Sequence, residues 1–139
     1  MGAWRVLAAA LALLLAACVQ ACSSRAKHLL GAPVRVSSDD PEVQKAVHFA
    51  LTEYNKASDD MFASKVMRIL SAERQIVSGV KYILEVELGR TQCKQGEFHD
   101  LETCDFSAPP HKTLCKFEVI SVAWTEETSL SKTCRPSNN

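Results

Sequence analysis

The chain has 139 residues, 47% of them hydrophobic, and its 16 basic side chains balance 16 acidic ones. That length gives one hydrophobic core and is short for two, and Lys and Arg dispersed among Asp and Glu, with no basic run, exclude a binder of nucleic-acid backbone. The same near-neutral charge excludes a cationic membrane-active domain.

The first residues follow the three-part pattern of a secretory signal: Arg5 carries charge, residues 6–17 are an uninterrupted apolar run, and small residues follow. Cleavage after Ala21 fits the small-residue preference, so residues 1–21 read as a signal peptide and residues 22–139 as one mature domain of about 118 residues. The run is shorter than the roughly 20 residues a spanning helix needs, and no second run of that length exists, so the mature chain is expected to be secreted and free of the membrane. Leu15, Ala16, Ala17 and Cys18 also spell a bacterial lipoprotein cleavage site, but a Leu- and Ala-rich signal produces that tetrapeptide by composition alone.

From Ser23 to Gly31 there is no period, which reads as an arm ending in the apolar pair Leu29 and Leu30. Residues 33–36 read as a first short strand. Ser37, Ser38, Asp39 and Asp40 are capping candidates, with Pro41 suited to the first helical position. Val43, Ala46, Val47, Ala50, Leu51 and Tyr54 then recur at spacings of three and four, which predicts a helix with one apolar stripe ending near residues 55–58.

Two runs of period two follow. Val66, Arg68, Leu70 and Ala72 alternate with Lys65, Met67, Ile69 and Ser71; Tyr82, Leu84, Val86 and Leu88 alternate with Lys81, Ile83, Glu85 and Glu87. Between them, Gln75, Ile76, Val77, Ser78 and Gly79 read as the tip of a β-hairpin rather than as strand. Ile76 and Val77 gain nothing from water and Gly79 takes positive φ cheaply, so this uncharged tip reads as a wedge for another molecule, against the alternative of an ordinary turn.

Residues 91–111 read as an excursion holding Cys93 and Cys104, Gly96 and the pair Pro109 and Pro110. Cys115, Phe117, Val119 and Ser121 alternate as another strand, residues 129–134 form a last one, and residues 135–139 read as a frayed tail. Ala123, Trp124 and Thr125 connect these two strands, with an aromatic where turns usually carry Gly, Asn or Pro. One amphipathic helix and four or five antiparallel strands bury their apolar faces together by laying the helix across the sheet, an α+β fold.

Six cysteines occur; Cys18 leaves with the signal, Cys22 either leaves with a cut a few residues later or stays as an odd thiol, and Cys93, Cys104, Cys115 and Cys134 form the set of four in the domain. An even number in an exported chain means disulfides, and of the three pairings chain order favours Cys93 with Cys104 and Cys115 with Cys134, which close short loops. No closely spaced Cys or His pair supports zinc, so no metal is expected. Nor does any catalytic constellation or cofactor motif appear. The cysteines are accounted for as disulfides, and His28, His99 and His111 in the arm or excursion and His48 beside the helix stripe read as surface or packing histidines. Asp39 with Asp40, Asp59 with Asp60, and Glu126 with Glu127 fall at turns or helix starts, where capping accounts for the first pair. The expectation is a binding protein, not an enzyme.

Taken in order, the arm Leu29-Leu30-Gly31, the tip Gln75-Ile76-Val77-Ser78-Gly79, the four cysteines and Trp124 before a final strand resemble the cystatins, specifically their secreted type-2 branch. The tip satisfies the family's Gln-x-Val-x-Gly motif. The resemblance implies a five-stranded antiparallel sheet wrapped around one long helix, with two neighbouring disulfides. It also implies reversible occlusion of the cleft of papain-like cysteine proteases such as cathepsins. In that role Leu30 fills the second non-primed pocket, Leu29 the next one out, and Gly31 bends the arm past the nucleophile. Gln75 to Gly79 plug the region beside the catalytic cysteine, and Ala123 and Trp124 cover the primed side. Two departures stand out: Ala123 replaces the family's usual Pro, and Asp59 occupies the position of the Asn used against legumain, which puts legumain inhibition in doubt. A β-branched Val77 in a tight turn also invites backbone strain, whose relief by loop opening would let a monomer exchange its helix and flanking strands into a domain-swapped dimer.

Overall fold

In the computed structural model, which describes residues 31–138, the caps start one helix, α1 (Pro41–Ala57). Asp40 Oδ1 accepts from the Glu42 N–H at 2.8 Å, Pro41 occupies the first turn where it has no donor to lose, and Glu42 and Lys56 match the positive and negative ends of the helix. The Ser58 N–H returns to the Asn55 carbonyl and ends it. The predicted stripe is the buried one: Val43, Ala46, Val47, Ala50 and Leu51 face the sheet, and Tyr54 packs at the edge of the same core.

That sheet has five antiparallel strands in chain order: β1 (Val34–Arg35), β2 (Phe62–Val77), β3 (Gly79–Lys94), β4 (Lys112–Val122) and β5 (Glu127–Pro136). The register places Val34, Arg74, Tyr82, Val119 and Leu130 in one row across all five. Tyr82, Leu84, Val86 and Leu88 of β3 and Cys115, Phe117 and Val119 of β4 turn toward α1, as their alternation predicts. Phe117 meets Tyr54 edge-on with ring centroids 6.2 Å apart. Burying each large apolar side chain of this kind stabilises by about 1.5–3 kcal/mol, which makes the Phe117, Leu84 and Leu88 cluster the centre of the fold.

β2 departs from the predicted alternation. Its inward residues are Val66, Ile69 and Ala72, spaced by three, while Leu70 is exposed and Arg68 points outward to Glu87. The cause is a pair of bulges: the register slips at Met67 and again at Leu70, each leaving one extra residue on β2. Each bulge switches the face, so Val66 opposes Leu88, Ile69 opposes Val86 and Ala72 opposes Leu84, all on the core side.

Three further expectations change. Strand pairing runs through the hairpin tip, with Gln75 opposite Lys81 and Ile76 opposite Val80, so only Ser78 stands outside the ladder. β3 extends into the predicted excursion as far as Lys94, because Thr91 is buried with its hydroxyl donating to the Ala63 carbonyl at 2.7 Å. The excursion proper then makes one 3₁₀ turn at Leu101–Thr103. The tail is ordered into β5 through Pro136: Arg135 pairs with Leu114, and Ser137 bonds both the Lys112 carbonyl and the buried Glu87 carboxylate.

Cys93 bonds Cys104 and Cys115 bonds Cys134. The signal segment 1–21, Cys18, Cys22, Leu29 and Leu30 lie outside the described residues. Among the described residues no helix is long and apolar enough to cross a membrane.

Candidate functional site

Two hairpin tips carry the candidate site, and one glycine seats the first upon the second. Gly79 has φ 132°, a conformation open to glycine alone, and a methyl group placed there would run into the Ser121 carbonyl oxygen and lie 3.3 Å from the Val122 Cα. Ser121 and Val122 are the last residues of β4 before the second turn, so the close approach fixes the spacing of the two tips. Val77 is not in the left-handed region, because Glu126 is the only non-glycine residue with positive φ among those described. Val77 thus carries no positive φ, and the positive-φ backbone of the tips falls to Gly79 and Glu126.

The second tip is a four-residue loop between the paired Val122 and Glu127. The Thr125 N–H donates to the Val122 carbonyl at 3.3 Å, which makes residues 122–125 a hydrogen-bonded turn with Ala123 in its second position and Trp124 in its third. Closing the loop onto β5 requires a left-handed residue after that turn. Glu126 supplies it with φ 52°, at a cost of about 1 kcal/mol relative to glycine.

Large apolar side chains exposed to water mass at this end of the sheet. Ile76 is 62% exposed, Val77 40% and Trp124 72%, and Val34, in the row just behind the tips, is 61% exposed. Trp124 is therefore no core aromatic. Polar groups around them are simple: Lys81 pairs with Glu118 at 3.4 Å, Gln75 is half-buried, and Ser78 and Ala123 are exposed. Of the arm, Gly31 is described, with φ 81°, a value suited to a bend.

At the opposite end of β2, residues 58–60 are locked. The Asp60 N–H donates to Ser58 Oγ, and Asp60 Oδ1 accepts from the Phe62 N–H at 2.9 Å and from Arg90 Nη2 at 2.7 Å and Nε at 3.1 Å. Burial pushes the Asp60 carboxyl up, but the Phe62 N–H, the Arg90 guanidinium and nearby His111 outweigh it and hold the group below the usual carboxylate range. Asp59 stays exposed beside this clamp.

A cavity of about 780 Å³ lies elsewhere, between α1 and the excursion, lined by His48, Leu51, Asn55, Phe98, His99 and Leu101. None of its lining residues belongs to the hairpin tips. Among the described residues no group of three or more His, Cys, Asp or Glu is placed to hold a metal ion. Exposed apolar tips carried on a disulfide-braced sheet define the class of binding proteins that offer a surface to a macromolecular partner.

Comparison with known proteins gives that class its family. The cystatin domain matches residues 31–124. A cystatin of Coturnix japonica is 49% identical over 107 residues, covering 75% of this chain and 91% of that protein. Cystatin-C of Homo sapiens is 42% identical over 136 residues, covering 94% of this chain and 92% of its own. The structure of dimeric human cystatin F superposes with a TM-score of 0.69 at 34% identity, covering 78% of this chain and 90% of that one. The chain belongs to the cystatins, a family of cysteine protease inhibitors.

Glu126 is the residue of this site that sequence reading passed over. It stood in the sequence only as half of an acidic pair at a turn; a four-residue loop whose last position needs positive φ, filled by neither Gly nor Asn, was the available signal.

Proposed function

We propose that this protein is a secreted, reversible, tight-binding inhibitor of papain-like cysteine proteases such as cathepsins, with residues 1–21 removed as a signal peptide. The observation that carries this reading is the ridge: exposed Ile76 and Val77 beside exposed Trp124, their spacing set by Gly79 against Ser121. Gln75 to Gly79 enter the cleft at the catalytic cysteine, and Ala123 and Trp124 cover its primed side. Leu30 and Leu29 fill non-primed pockets, and Gly31 lets the arm bend without presenting a cleavable bond. Preformed hairpin tips lose little freedom on docking, and pocketed aliphatic and aromatic anchors dominate such interfaces, which favours inhibition without any covalent step.

Asp59 stands where legumain-inhibiting members of the family carry Asn, which counts against legumain as a target; nanomolar legumain inhibition by the wild type near neutral pH would refute that. The working state is the monomer, and exchange of the helix and its flanking strands is the dimer it forms on heating, read by size exclusion. The first test uses recombinant residues 22–139 against papain with a fluorogenic peptide substrate. Competitive, reversible inhibition with intact inhibitor recovered afterwards is expected; no inhibition, or rapid cleavage of the chain, overturns the proposal.

A further inference from the structure

The ridge is electrically polarised along its length, and its centre is balanced. On the β1–β2 side, the sheet edge reached three residues after Gly31, Arg35 and Arg74 are exposed and outnumber the one half-buried carboxylate there, Glu73, and none of the three makes an ion pair among the described residues. In the middle, Lys81 is neutralised by Glu118 at 3.4 Å. On the β4–β5 side, Glu126 and Glu127 directly follow the turn that carries Trp124, both exposed and likewise without an ion pair among the described residues. The positive end and the negative end are thus separated by the uncharged tips Ile76, Val77, Ser78 and Trp124.

We infer that this dipole selects among cysteine proteases and sets their docking direction. The preferred partner carries Asp or Glu on the non-primed rim of its cleft and Lys or Arg on the primed rim, so that both ends of the ridge meet opposite charge. The inference rests on the inhibitory reading above and adds to it which protease surfaces are fastest to bind. Rim charges of this kind act on the association rate and its salt dependence, while the apolar anchors between them govern dissociation. At low salt the screening length exceeds the width of a cleft rim, so both ends steer the encounter; at high salt neither does. The left-handed Glu126 fits this role, since its carboxylate stands at a position where glycine would be the unstrained choice.

The discriminating property is sign. An effect of net charge alone requires that removing Arg74 and removing Glu126 and Glu127 shift association in opposite directions. A dipole matched to its partner requires that both removals slow it. The experiment measures association rates of the wild type, Arg74→Gln and the double variant Glu126→Gln with Glu127→Gln against papain, cathepsin B and cathepsin L, from ~20 mM to ~500 mM ionic strength. For at least one protease, both variants are expected to associate about threefold or more slowly at the lowest salt, converging with the wild type at the highest, with dissociation changed less than about twofold. Opposite shifts for every protease, or rates that coincide at all salts, overturn the inference and leave the inhibitory reading intact. Absence of inhibition by all three proteins overturns both.

Discussion

Replacing Trp124 with Ala separates binding from folding more sharply than any other change. An indole side chain offers about 250 Å² of surface, and Trp124 keeps 72% of its surface exposed, leaving about 180 Å² available to a partner. At about 25 cal/mol per Å², covering all of it contributes at most about 4.5 kcal/mol. An indole laid flat on a protein surface loses one face and part of its rim, about half of that area, so the expected loss on Trp124→Ala is about 2 kcal/mol, within the hot-spot range. That is about a 30-fold rise in the inhibition constant. Because the ring touches little of its own chain, thermal stability should change by less than about 0.5 kcal/mol. Inhibition constants against papain from progress curves, paired with denaturant melts of the same samples, provide the check. A rise below threefold refutes the placement of Trp124 in the interface, and a large loss of stability refutes its description as a free anchor.

Ala123→Pro tests the turn beside it: the second position of a hydrogen-bonded turn accepts Pro, so the variant should gain about 0.4–1 kcal/mol of stability and inhibit papain more tightly, both read by the same paired assays. Gly79→Ala forces a methyl group into the Ser121 carbonyl at a φ that an L-residue avoids; the tips should separate and the inhibition constant rise about tenfold or more, measured against papain. Gly89→Ala would bring its methyl to 2.7 Å from the Phe106 ring and 2.9 Å from Met67, overpacking the outer face of the sheet by about 1–3 kcal/mol in urea unfolding while leaving inhibition unchanged. For Asp60→Asn the sign follows from the lowered carboxyl: the charged form stabilises the fold above about pH 4, and that contribution disappears as pH falls through the lower folded value. The partly exposed pair with Arg90 is worth about 1 kcal/mol or less, so a small melting deficit at pH 7 should close as wild type and variant are compared below about pH 4.

The helix, the core-facing residues of β3 and β4 and both disulfides were legible in the sequence because each follows one local rule. Caps and a 3.6 period fix α1, strict alternation fixes the two central strands, and short loops favour the two neighbouring bridges. β2 was legible as a strand but not in its facing. Its bulges at Met67 and Leu70 leave no local mark, since what they satisfy is the curvature needed to wrap around α1, a tertiary demand. The tail misled in a similar way: Arg135 and Pro136 carry turn-like or charged chemistry, yet pairing with β4 and the Ser137 bond to Glu87 hold them in the sheet. At the site, the motif residues and Trp124 were identifiable one by one. Their closeness was not, because it depends on a contact between residues 79 and 121, forty-two positions apart in the chain.

That contact also explains how one small domain keeps an apolar ridge exposed without losing its own stability. Phe117, Leu84, Leu88 and Val43 are buried between the sheet and α1, and the disulfide at Cys115 ties β4 to the outermost strand β5. None of these residues belongs to the tips, so nothing in the core requires Ile76, Val77 or Trp124 to be covered. Because the sheet runs in chain order, both long hairpins turn at the same end, and the strands that form the core also project the ridge from a rigid base. In the proposed inhibitory role the ridge meets a groove with its shape already set, so the ordering entropy of the two tips is lost during folding, where the core offsets it, and not at binding. The two conformationally demanding residues of that base, Gly79 and Glu126, stand one in each tip, where a small backbone change would move the ridge while the core stayed packed.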